Sequence, residues 1–232
     1  DPLISKDDWG SVFDRMRLDD IRRVRVAWAD QHGVSRTKVI TSRAFPKVCS
    51  EGLRCNLGTL LSDSSGRTVM DPFATDRGLH RPEFAGAPDL LLFPDPSTFR
   101  VLPWAPQTGW VIADLAATTG EPLSFSSRAQ LRTAVDLASQ SDVRPAVGIE
   151  LEFHLMRAAD RASTGPVESI GAYAVRPTHT GYQHQSEAAL DNVSDFLDIL
   201  QDHLEQLDLP VRTLEVECGP SQFEISLDVL GA

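Results

Sequence analysis

Two short stretches concentrate carboxylates at a spacing suited to holding a hard cation. In Ala146 to Met156, alternation puts Gly148, Glu150, Glu152, His154 and Met156 on one face of a strand and Val147, Ile149, Leu151, Phe153 and Leu155 on the other. Glu150 and Glu152 then stand roughly 7 Å apart on the same side, from the rise per residue of an extended chain. The second stretch has two alternating runs, Arg212 to Glu217 and Gln222 to Leu227, joined by Cys218-Gly219-Pro220-Ser221, and reads as a hairpin. Pairing Glu217 with Gln222 places Val216 opposite Phe223, Glu215 opposite Glu224 and Leu214 opposite Ile225. One face is apolar, and the other gathers Glu215, Glu217, Gln222 and Glu224. Like charges facing one another across a strand pair are destabilising unless something positive sits among them. An all-oxygen, cysteine-free pocket suits Mg²⁺ or Mn²⁺. Glutamates that alternate on a half-exposed strand can equally well just face water, and periodicity alone favours that plainer reading.

The charge distribution agrees with a cation-binding second half. The 232 residues carry 22 basic and 33 acidic side chains, a net charge of −11. Residues 150–232 hold 4 of the basic and 15 of the acidic ones, so 4 − 15 supplies the whole imbalance. Seven of those acids, from Glu187 to Asp208, belong to a solvated helix face. An acidic surface repels phosphate backbones, which argues against nucleic-acid binding. No apolar run is long enough to span a bilayer and no leader pattern opens the chain, so the expectation is a cytoplasmic protein without membrane contact. Cys49, Cys55 and Cys218 lack zinc-ligand spacing and read as reduced thiols.

The elements that must position the carboxylates can be read in outline. Ser5 to Leu18 has a Ser5-x-x-Asp8 capping pattern and puts Trp9, Val12, Phe13 and Met16 at helical spacing. Residues 22–40 alternate around Asp30-Gln31-His32-Gly33, a hairpin in which His32 is a turn residue. Residues 56–88 show no period and read as long loops. Asp89 to Phe93 and Trp110 to Leu115 read as strands. Ser127 is expected to cap a helix with Leu131, Ala134, Val135 and Ala138 on one face. Ser186 to Leu209 reads as one amphipathic helix with His203 packed on its apolar stripe. The Pro-rich stretch near residue 105 places the domain boundary between 1–108 and 109–232.

Taken together, Gly148-Ile149-Glu150-Leu151-Glu152-Phe153 and Glu217-Cys218-Gly219-Pro220-Ser221-Gln222-Phe223-Glu224 resemble the glutamine synthetase family. Ala29-Asp30 to Gly33, Asp89 through Pro94-Asp95-Pro96-Ser97-Thr98 to Leu102-Pro103-Trp104, and Asp114 through Gly120-Glu121-Pro122 to Arg128 extend the resemblance along nearly the whole chain. It implies an α+β fold: a β-grasp-like N-terminal domain, then the first part of an α/β catalytic domain with a curved antiparallel sheet. By the same resemblance Glu152, Glu217 and Glu224 are ligands of one Mg²⁺ or Mn²⁺, and Glu150 contacts a second metal beside the ATP phosphates. The implied chemistry is ATP-dependent phosphorylation of the glutamate γ-carboxylate, followed by displacement of phosphate by ammonia or an amine. A ring-shaped homo-oligomer is implied as well.

The sequence departs from the family pattern in several places. Leu214-Glu215-Val216 occupies the approach where a histidine is usual, Ser221 stands in place of a glycine, and Ser127 precedes Arg128 in place of a proline. Asp63-Ser64-Ser65-Gly66 is a distorted form of the loop typical of the ammonia-using branch, and the longer, irregular 56–88 region is more similar to the branch that joins glutamate to larger amines. True glutamine synthetase is the alternative, and a non-catalytic metal-binding scaffold is the alternative of another class. The resemblance further implies that the catalytic domain is truncated at residue 232. The remaining histidine, arginine and glutamate groups would lie downstream, leaving this fragment inactive alone.

Overall fold

The computed structural model describes residues 9–69, 71, 73, 85–158 and 175–231. They form two compact units, Asp1–Val143 and Arg144–Ala232. Ser5 and Asp8 of the expected first cap, and much of the 56–88 stretch, lie outside the described residues.

The first unit is built on a sheet in the order β2-β1-β6-β4-β3, with β5 (Arg100–Val101) also pairing with β6. β1 (Arg23–Ala29) and β2 (Ser35–Thr41) form the expected antiparallel hairpin, from Arg23 opposite Thr41 to Ala29 opposite Ser35. β3 (Leu53–Asn56), β4 (Asp89–Pro94) and β6 (Thr108–Ala117) pair antiparallel, whereas β1 and β6 run parallel. The apolar side chains of these strands, Val24, Val26, Leu90, Leu92, Val111 and Leu115, are buried. Helix α1 (Trp9–Leu18) presses Trp9, Val12 and Met16 onto them, and Trp9 meets Phe45 of α2 (Phe45–Glu51) edge-on at 5.3 Å. Each such side chain removed from water contributes about 1.5–3 kcal/mol before entropy is charged against it.

β6 explains where the units part. The sequence reading sets the division at 108/109, but β6 lies in the first sheet between β1 and β4, and Val143 ends the first unit. Pairing over more than eighty residues leaves no local trace in the sequence. Helix α3 (Ser127–Gln140) also differs from expectation. Its cap is Ser126, whose Oγ accepts from the Ala129 N–H at 3.4 Å, and none of its residues is buried; Leu131 is 60% exposed.

The second unit is a three-stranded antiparallel sheet in the order β10-β11-β7, made of β7 (Ala146–His154), β10 (Val211–Val216) and β11 (Gln222–Gly231). β8 (Met156–Ala158) and β9 (Val175–Pro177) form a separate pair. The single helix expected over 186–209 is two: α4 (Glu187–Asp191), capped by Ser186, and α5 (Ser194–Gln206). Val193, at φ −132°, turns the chain between them and is itself buried, and Arg157 donates to the Asn192 carbonyl at 3.0 Å. The bend keeps Ala189, Val193 and Leu197 together on Val216 and Phe223 of the sheet. Phe153 stacks on Phe223 at 5.9 Å, whereas Val147, Ile149 and Leu151 of the same β7 face are exposed.

Candidate metal centre

The hairpin register puts the carboxylates on one face in rows. Leu214 pairs with Ile225, Glu215 with Glu224 and Val216 with Phe223, while the Glu217 N–H donates to the Gln222 carbonyl at 2.9 Å, as the alternation predicts. β7 extends each row, with His154 opposite Gln222, Glu152 opposite Glu224 and Glu150 opposite Ser226. The polar face is therefore a grid. Glu217, Gln222 and His154 form the row nearest the loop, Glu215, Glu224 and Glu152 the middle row, and Thr213, Ser226 and Glu150 the third.

Strands lie about 4.8 Å apart, so Glu224 has a carboxylate neighbour on either side, and Glu217 and Glu150 stand a row away, roughly 7 Å along the strands. Of the candidate residues, Glu152 and Glu224 are brought side by side and Glu150 is held furthest from Glu217. Among the described residues no three His, Cys, Asp or Glu side chains converge closely enough to hold a metal between them. The carboxylates line a face and do not form a cage.

Amide and hydroxyl groups hold three of these carboxylates. The Gln222 amide N–H donates to Glu152, and its oxygen accepts from the Gly219 N–H at 2.8 Å. Ser226 Oγ donates to Glu224 at 2.9 Å, and Gln185 Nε2 donates to Glu215 at 2.8 Å. His184 Nε2 stands 3.5 Å from Glu217 Oε1. Among the described residues no lysine or arginine is paired with Glu150, Glu152, Glu215, Glu217 or Glu224. The Nδ1–H of His154 donates to the Pro220 carbonyl at 2.9 Å, which leaves Nε2 as the acceptor nitrogen of the neutral ring. Glu152, Glu215 and Glu224, held by amide and hydroxyl hydrogen bonds and paired with no lysine or arginine among the described residues, are oxygen donors that fit a hard divalent cation.

His184 and Gln185 were not found from sequence. They fall in Thr180 to Ser186, a stretch without period, and meet Glu217 and Glu215 some thirty residues on. The motif residues of the first unit do something different. Asp114 pairs with Arg128 at 2.9 Å and Arg132 at 3.0 Å, and Arg128 also reaches Asp95, so the start of α3 is tied to β6 and to the turn after β4. Asp30, with its side chain fully buried, accepts from the N–H groups of His32 and Val34 and from both nitrogens of an Arg36 fork. Burial alone pushes its carboxyl up, but those hydrogen bonds and the Arg36 charge outweigh it and hold the carboxyl below the usual range.

Comparison with known proteins bears on both units. Residues 124–231 match the model of the glutamine synthetase catalytic domain. The gamma-glutamylanilide synthase of an Acinetobacter species is 36% identical over 220 residues, 90% of this chain and 44% of that protein. The glutamate–isopropylamine ligase of a Pseudomonas species is 30% identical over 150 residues, 62% of this chain and 30% of that protein. The glutamine synthetase of Methanosarcina mazei is 27% identical over 218 residues, 92% of this chain and 42% of that protein. The chain thus spans less than half the length of these relatives. In a solved GmaS/ADP complex the fold recurs with a TM-score of 0.68 at 19% identity, over 94% of this chain and 44% of that one. The same two glutamate strands that suggested the family lie within the matched region, on adjoining strands of one sheet, and the chain belongs to the glutamine synthetase family.

Proposed function

We propose that the protein is an ATP-dependent ligase that joins an amine to the γ-carboxyl of glutamate through a γ-glutamyl phosphate. The observation that carries this reading is the row Glu215, Glu224, Glu152, held by amide and hydroxyl donors, with Glu217 and Glu150 beside it and no lysine or arginine among the described residues paired with any of them. Glu152, Glu217 and Glu224 would hold one Mg²⁺ or Mn²⁺ on the acceptor side, and Glu150 would face the second metal and the ATP phosphates. Bound there, the divalent ions would neutralise charge on the phosphoryl group during its transfer. The chain's own part is to fix four carboxylates on a rigid sheet, with Gln222 and Ser226 setting the orientation of Glu152 and Glu224.

An organic amine is preferred over ammonia because relatives named for anilide and isopropylamine chemistry are 36% and 30% identical, against 27% for a glutamine synthetase. In this reading the first unit is the β-grasp-like domain and the full-length protein is a ring-shaped homo-oligomer. In this reading residues 144–231 supply one side of the metal site. The test is a Mn²⁺ titration of the full-length protein and its Glu217→Ala variant, together with ATP- and glutamate-dependent phosphate release in the presence of aniline, isopropylamine or ammonia. Loss of Mn²⁺ affinity in the variant and faster release with an organic amine are expected. Equal affinity in both proteins would remove the metal assignment, and a preference for ammonia would remove the amine assignment.

A further inference from the structure

We propose that Gly181 to Ser186 is a strap whose His184 and Gln185 are positioning residues, holding Glu217 and Glu215 in the orientation that receives a divalent cation. The proposal rests on reading the acidic face as a metal site. Its own basis is how the segment is latched to the hairpin.

Three contacts make the latch. The Tyr182 N–H donates to the Cys218 carbonyl at 2.8 Å, and the Gln185 N–H donates to the Val216 carbonyl at 3.0 Å. Just before them Gly181 lies so close to the hairpin loop that a Cβ would sit 2.6 Å from the Pro220 nitrogen and 2.9 Å from the Gly219 carbonyl carbon. Gly181 (φ 80°), Tyr182 (φ 64°) and Gln185 (φ 57°) are all left-handed, so the segment coils tightly while following β10. Left-handed backbone at Tyr182 and Gln185 persists only where the surroundings over-determine it, and the two backbone hydrogen bonds do so.

The latch fixes where the side chains go. Gln185 leaves the backbone at its bond to Val216, next to Glu215, and its Nε2 donates to Glu215 Oε2 at 2.8 Å. His184, one residue earlier, puts Nε2 at 3.5 Å from Glu217 Oε1 while half of its side chain stays exposed. Glu215 is on β10 and Glu217 directly follows it, and among the described residues β10 is the edge strand of the sheet, with no further strand beside it to order these side chains. Glu152 and Glu224 take their donors from β11 itself. The strap thus supplies to β10 what the sheet interior supplies to the other strands. Partners of this kind typically change metal affinity by about 10–100-fold when removed, because the ligand must then be ordered at the moment of binding.

The experiment measures Mn²⁺ affinity by calorimetry on the full-length protein, with thermal melting in the absence of metal as the check on folding. His184→Ala is expected to weaken binding about 10-fold. His184→Asn, which keeps an N–H donor, should recover most of that loss, a rescue that mere packing would not produce. Gly181→Ala removes neither donor but displaces the strap, and should weaken binding by a similar factor. If wild type binds and Glu217→Ala abolishes binding while His184→Ala and Gly181→Ala titrate like wild type, the strap has no positioning role. If wild type itself shows no Mn²⁺ binding, the metal reading fails and takes the strap with it, and that result is distinct from the previous one. Should His184→Ala fail to melt cooperatively, the Asn and Gly181→Ala variants still decide.

Discussion

The two units use buried or crowded carboxylates in opposite ways. In the first, Asp30 meets Arg36, and Asp114 meets Arg128 and Arg132, so each acid is neutralised by a guanidinium. In the second, Glu152, Glu215, Glu217 and Glu224 meet two amides, an imidazole and a hydroxyl. A guanidinium cancels the charge and stitches elements together; an amide or hydroxyl only aims the oxygen and leaves its charge for another cation. The difference separates carboxylates paired into the fold from carboxylates whose charge no lysine or arginine among the described residues offsets, which sequence motifs alone do not distinguish.

That contrast can be broken most directly at Glu224. Glu224→Gln should lower Mn²⁺ affinity by more than about 100-fold, a larger loss than removing an orienting partner. In the absence of metal the same variant should melt at the wild-type temperature or slightly above it, because a like charge has been taken from between two others. A marked fall in its metal-free melting temperature would mean that Glu224 serves the fold.

The matching change in the first unit is Asp114→Ala. Breaking a buried ion pair costs 3–5 kcal/mol, but Arg128 and Arg132 are 30% and 41% exposed, so about 2 kcal/mol is expected in urea unfolding. Metal affinity of the folded variant should be unchanged. A smaller effect distinguishes the units by pH. The Asp30 carboxyl is held below its ordinary value of 3.8, so its stabilisation is fully present above that value and is lost as the pH falls through the lower folded one. Arg36→Met should remove much of this acid sensitivity, which stability curves between pH 5 and 2 would measure. Smallest is the thiol contrast. Burial raises Cys49 to about 12 and Cys55 to about 11, whereas Cys218 is exposed in the hairpin loop. A thiol reagent at pH 8 should label Cys218 in the native protein and leave the other two until unfolding.

How far the sequence could be read depended on the range of the interactions. The hairpin register and the composition of its two faces follow from strict alternation on both sides of a four-residue loop, and these placed Glu215 opposite Glu224 correctly. The break between α4 and α5 escaped because no Gly or Pro marks it; Val193 turns the chain to stay over Phe223, a tertiary demand. β6 falls on the other side of the unit division from the sequence reading, because its partner β1 lies more than eighty residues away in the chain. The positions of His184 and Gln185 depend on the latch at Gly181, and nothing local in Tyr182-Gln183-His184-Gln185 announces it.

The hairpin loop also acts as a counter. Ser221, buried and left-handed at φ 59°, ends the loop, accepts from the Thr178 N–H at 2.7 Å and gives its carbonyl to Leu155. Everything after it on β11 is assigned to a face by parity: even positions from Gln222 to Ser226 go to the acidic side, and Phe223 and Ile225 go to the core. One residue added just beyond Ser221 would exchange the two sets, driving Glu224 into the packing under α5 and lifting Phe223 into water. Two residues would restore the faces but shift Glu224 a row away from Glu152. The acidic face is therefore encoded less by which acids are present than by an odd or even count from one fixed serine.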